Sequence, residues 1–130
     1  MKVKPLIEIV KEKYPKLAQS IITTSNEQEL TGEIRFKNPK YSLWFTEEIG
    51  QGYIVGINSL HSHFDLGDED SNLKDALEYI EDIIEDRIVA IGQRDVEENF
   101  LIATLDIEEG IKYYSHEKPK IEIVSFTKEY

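Results

Sequence analysis

The segment His61-Ser62-His63-Phe64-Asp65 holds the residue types in this chain best suited to chemistry. Side chains alternate across a strand, so positions 61, 63 and 65 project from one face. Two imidazoles and a carboxylate there form a ligand set for Zn²⁺ or Fe²⁺. His116 is the one remaining histidine, and the absence of cysteine excludes thiolate ligands and disulfides alike. Against metal use, the same histidines continue the face that carries Tyr53, Val55 and Ile57. There they would cover the sheet edge or bond the acidic loop that follows. Nucleophilic catalysis is poorly served, because Ser62 points away from both histidines and loses the hydrogen bond a serine nucleophile needs. There is no Gly-x-Ser-x-Gly, no His-Glu-x-x-His and no P-loop. Gly50-Gln51-Gly52 is followed by neither a helix start nor Lys-Ser/Thr, so it reads as a turn. The loop from Asp65 to Asp70 lacks the roughly 12-residue ligand spacing of an EF-hand. No enzyme activity and no cofactor are expected.

The histidine string resembles the His-x-His-x-Asp-His signature of metallo-β-lactamase-fold hydrolases over five residues. Leu66 stands where that family has a further histidine. The chain also lacks the family's other metal-binding segments and the length of its αββα sandwich, so the assignment fails.

Charge is the second signal. Residues 65–86 hold ten carboxylates (Asp65, Asp68, Glu69, Asp70, Asp75, Glu78, Glu81, Asp82, Glu85, Asp86) against one base, Lys74, in a protein of net charge −11. Concentrated charge of one sign steers encounters with partners of the other sign. An acidic surplus excludes nucleic acid as a ligand, since phosphate binding needs lysine and arginine. No apolar run approaches the length of a membrane span or a secretory leader. The expectation is one cytoplasmic domain over residues 1–130.

These residues must be positioned by elements of both kinds. A first helix is expected from Pro5 to about Tyr14, with Leu6, Ile9, Val10 and Tyr14 inward and Pro15 as its stop. The first sixteen residues carry five lysines (2, 4, 11, 13, 16) against Glu8 and Glu12, so the chain is basic at its start and acidic in its middle. The two regions complement each other within one molecule or between two copies. Strands follow at 18–24, 31–37, 41–46 and 53–65, with turns at Asn38-Pro39-Lys40 and Gly50-Gln51-Gly52. Leu73, Ala76, Leu77, Ile80, Ile83 and Ile84 form one stripe at helical spacing, with Ser71 or Asn72 as N-cap. Strands at 87–93, 99–105 (a central one), 111–116 and 120–127 complete the order, with a hairpin loop at 107–110. The fold class is α+β: an antiparallel sheet of about six to eight strands with two helices, ordered α-ββββ-α-ββββ.

The like-charged pairs Glu78/Asp82, Glu81/Glu85 and Asp82/Asp86 each cost a helix about 0.2–0.5 kcal/mol without structural gain. That points to use rather than solubility alone. The expected function is a small acidic interaction protein that binds a basic protein. The contact set is Asp68, Glu69, Asp70, Asp75, Glu78, Glu81, Asp82, Glu85 and Asp86, with Trp44, on the strand Tyr41–Phe45, as aromatic anchor. The strand at Tyr41–Phe45, the segment Leu60–Asp65, and the acidic helix 72–86 followed by Arg87-Ile88-Val89-Ala90-Ile91 are together similar to immunity proteins of bacterial toxin systems. That resemblance implies a cytoplasmic protein that neutralises a basic toxin, with association that slows at high salt. Two alternatives remain: a metal- or small-ligand site at His61, His63 and Asp65, and a homo-oligomeric structural protein.

Overall fold

Strand character is set by alternation: Ile34, Leu43, Phe45, Tyr53, Val55 and Ile57 are buried, while their sequence neighbours tend to be more exposed. The structure is a computed structural model that describes residues 4–37, 41–93, 100–104, 107–110, 112 and 121–126. Five consecutive strands, β1 (Ile21–Ser25), β2 (Glu29–Arg35), β3 (Ser42–Glu48), β4 (Gly52–Ile57) and β5 (Leu60–Phe64), pair in chain order as an antiparallel meander. Helices α1 (Leu6–Lys13) and α2 (Glu69–Ile84) close the apolar side of this sheet. Leu6, Ile7 and Val10 of α1 enter the core; Ile9, expected inward, is only half-buried. Ala76, Ile80, Ile83 and Ile84 of α2 are buried in the same cluster, with Leu73 and Leu77 packed against it. Each fully buried aliphatic side chain contributes about 1.5–3 kcal/mol, which outweighs repulsion on the acidic side of α2.

The remaining strands, β6 (Val89–Gln93), β7 (Phe100–Thr104) and β8 (Ile121–Val124), form a second antiparallel sheet in the order β7-β6-β8. The α+β class is as expected, but the single sheet is not: among the described residues, eight strands divide five and three. The expected central strand, β7, lies at the edge of its sheet. The middle belongs to β6, where Val89, Ala90 and Ile91 are all buried. An edge-to-face contact of Phe36 with Phe126, centroids 5.5 Å apart, joins this sheet to the end of β2. The hairpin loop expected at 107–110 is helical, as is Lys112. The rest of the strand expected at 111–116, including Tyr113, Tyr114 and His116, lies outside the described residues, as does the turn 38–40.

Two corrections matter for function. Residues 53–65 are a hairpin, not one strand. Asn58, at φ 50°, turns the chain so that Ile57 pairs with Leu60. The strand expected at 18–24 begins instead with a single 3₁₀ turn at Ala18–Ser20.

Candidate functional site

The two-residue turn at Asn58-Ser59 inverts the face of everything after it. Ser62, opposite Val55, now continues the face of Tyr53, Val55 and Ile57, while His61 stands opposite Gly56 and His63 opposite Ile54. The histidines are therefore exposed on the outer side of the sheet, not over its apolar side. Their ring centroids are 5.1 Å apart, and His61 is 5.8 Å from the ring of Trp44. Trp44 Nε1 donates to the carbonyl of Asn58 at 2.6 Å, and Asn58 Oδ1 accepts from the Ser42 amide at 2.9 Å. Gly56 makes room for this group: a Cβ there would lie 2.7 Å from His61 Cβ and 3.0 Å from Trp44 Cζ2. Asp65 follows just past β5, and among the described residues no three His, Asp or Glu side chains gather as a metal site. The triad of His61, His63 and Asp65 is thus reduced to its two imidazoles.

The acidic segment is built differently from expectation. Asp68, not Ser71 or Asn72, caps α2: its carboxylate accepts the Ser71 amide at 2.8 Å, and that bond chiefly holds its carboxyl below the usual range. Asn72 is buried and bonds Gly67 both ways, Oδ1 accepting the Gly67 amide and Nδ2 donating to the Gly67 carbonyl, each at 3.0 Å. This clasp fixes the loop 65–68 against the helix start.

Two cations then divide the carboxylate stripe. Lys13, at the end of α1, pairs with Glu81, and that hydrogen bond raises the lysine pKa. Arg87 reaches back from beyond α2 to Asp82 and Glu85, both at 2.6 Å. The helix ends in a Schellman arrangement, with the Arg87 amide on the Asp82 carbonyl and the Asp86 amide on that of Ile83. Asp86 occupies the left-handed position at φ 61°. The complementarity of basic start and acidic middle is therefore realised, in part, within one molecule. Asp65, Glu69, Asp70, Asp75 and Glu78 remain exposed, and no described lysine or arginine pairs with them.

The open half of the stripe meets further acids that lie far off in sequence. A shallow cleft of about 210 Å³ between the loop and the β3–β4 turn is lined by Glu47, Glu48, Tyr53, Gly67, Glu69 and Asn72, among others. Glu48 also borders a neighbouring cleft with Glu27 and Glu29. Glu47 Oε1 accepts the Leu6 amide at 3.0 Å, satisfying the first turn of α1. Burial pushes the Tyr53 phenol up to about 12, and the field of Glu47, Glu69 and Asp70 adds to it. Leu66 on the loop is 100% exposed, and Ile49 at the β3–β4 turn is 59% exposed. The sequence signal for these last two was an apolar side chain inside a polar turn, while the approach of Glu47 and Glu48 to Glu69, and of Glu27 and Glu29 to Glu48, depends on the tertiary fold. Trp44 does not join this surface, since it lies on the sheet face opposite the one that α2 covers.

No protein-family model, curated protein or solved structure matches this chain.

Proposed function

We propose that this protein binds a basic protein through the anionic surface formed by the loop 65–70, the first half of α2 and the β1–β2 and β3–β4 turns. One observation carries this reading: the carboxylates Asp65, Glu69, Asp70, Asp75 and Glu78 are exposed and form no salt bridge with a described cation, while Glu81, Asp82 and Glu85 are paired with Lys13 and Arg87. A chain that needed only solubility would gain equally from either half. Leu66 and Ile49 stand exposed at this surface and supply apolar contact where charge supplies rate and register. Charges of this kind raise association from ~10⁵–10⁶ towards ~10⁸ M⁻¹s⁻¹ at low salt, and the gain falls steeply with ionic strength. The resemblance to toxin-neutralising immunity proteins supplies a class of partner: a basic toxin held by its inhibitor in the cytoplasm.

The test compares two charge-reversed variants in capture of a partner from the cells that make the protein, repeated with the purified partner. Changing Glu69, Asp70, Asp75 and Glu78 to Lys is expected to abolish capture with the circular dichroism spectrum unchanged. Changing Asp82 and Glu85 is expected to weaken it far less. Equal capture by a folded Glu69/Asp70/Asp75/Glu78 variant, or an acidic partner, refutes the proposal. If the partner is a toxin, co-expression restores growth with the parent chain and not with that variant.

A further inference from the structure

On the opposite side of the sheet, the geometry points to a two-imidazole site for a divalent transition-metal ion, formed by His61 and His63, with Cu²⁺ as the tightest ligand. Both side chains are exposed on the outer face of β5, held in register by pairing with Gly56 and Ile54 of β4. An imidazole nitrogen binds such a metal at about 2.0–2.1 Å along its lone pair, which puts the ion about 3.2 Å from the ring centre. Two rings set at about 90–110° around one ion are then about 4.5–5.2 Å apart, centre to centre. The observed separation is 5.1 Å.

A second observation concerns the proton. His61 Nδ1 lies 2.9 Å from the carbonyl oxygen of Ser59, an acceptor only, so this nitrogen carries the hydrogen and Nε2 presents its lone pair outward. Histidines that ligate metals are oriented in the same manner, by donating the other ring nitrogen to a carbonyl or carboxylate. The hairpin that supplies this carbonyl also fixes Trp44 through Asn58, so the site rests on a braced turn. Two protein nitrogens leave further coordination positions to water or to another molecule. Among divalent ions the affinity of nitrogen donors peaks at Cu²⁺, with Zn²⁺ and Ni²⁺ weaker.

Trp44 gives the assay its readout, being the sole tryptophan and 5.8 Å from His61. The full chain without a histidine tag, titrated with CuCl₂, is expected to show saturable quenching of tryptophan fluorescence at one ion per chain. Zn²⁺ in excess is expected to reverse it. His61→Gln and His63→Gln are each expected to weaken binding about tenfold or more, as removal of one of two ligands requires. Paramagnetic resonance should count two nitrogen ligands in the parent and one in either variant. Both positions are exposed, so the fold is expected to survive, with circular dichroism as the check. Quenching that never saturates, or Cu²⁺ binding of equal strength in the His61→Gln/His63→Gln chain, overturns the inference. Trp44→Phe removes the optical signal while equilibrium dialysis still finds the ion. The site is independent of the docking surface, and neither result bears on the other.

Discussion

Replacing Gly32 by alanine probes how the five-stranded sheet is filled. Gly32 pairs with Thr23 on one side and Phe45 on the other, and the Phe45 ring lies across it. A Cβ at position 32 would stand 2.5 Å from Phe45 Cε2 and 2.7 Å from Cζ, with Ile21 Cγ2 at 3.3 Å. Unstrained carbon contacts are about 3.5–4.0 Å, so the ring has to retreat by about 1 Å. Phe45 is wholly buried, and an interior packed as densely as an organic crystal offers no empty direction for that retreat. Overpacking of this kind costs about 1–3 kcal/mol, against a gain of about 0.4–1 kcal/mol from restricting the unfolded chain. Gly32→Ala is thus expected to lose about 1.3 kcal/mol at mid-range, and at most about 2.6, in urea unfolding, seen as a lower midpoint at constant slope. Combining it with Phe45→Leu, which shortens the ring's reach, should lose less than the two single variants summed. A Gly32→Ala protein as stable as the parent, or strictly additive losses, would refute the argument that the glycine exists to admit the ring.

The elevated Tyr53 phenol sets a direction with pH. Between about 10, its ordinary value, and about 12 the folded state holds a proton that the unfolded state has released, so stability falls as pH rises through that range. Tyr53→Phe is expected to flatten this alkaline loss, leaving the parts due to Tyr14 and Lys13, whose pKa values are also raised; an unchanged slope in urea titrations at pH 9–11.5 would discount Tyr53 as its source (pH range about that of ordinary tyrosine ionisation). Asp86→Gly is expected to stabilise the protein by about 0.5–1 kcal/mol, because glycine takes the left-handed position without a Cβ and the change removes an anion from the negative end of α2. A lower thermal midpoint would show that the aspartate's own contacts outweigh both terms.

Periodicity made α2 readable in advance. Its aliphatic stripe recurs at helical spacing, and burial follows that spacing from Ala76 to Ile84. The turn at Gly50-Gln51-Gly52 was equally legible, because Gly50 at φ 78° supplies a conformation other residues resist. The hairpin at Asn58-Ser59 was not, since its flanks Ile57 and Leu60 are apolar and contain no glycine or proline. Missing those two residues inverted the expected face of both histidines. The cap at Asp68 was hidden among like residues, where a capping carboxylate and a merely favourable one share the same letter. Most elusive were Lys13 with Glu81 and the Leu6 amide with Glu47, pairs 68 and 41 positions apart, which only tertiary packing creates.

The bond from Glu47 to the Leu6 amide has a consequence for the order of assembly. An eight-residue segment this short does not hold a helical conformation alone in water. Its opening turn is completed by a carboxylate that the ribosome adds long afterwards, and β2, β3 and α2, against which it packs, all follow it in the chain. Helix α1, though it precedes the sheet along the chain, is therefore among the later elements to settle, and the nascent protein must keep Leu6, Ile7 and Val10 from other company in the meantime.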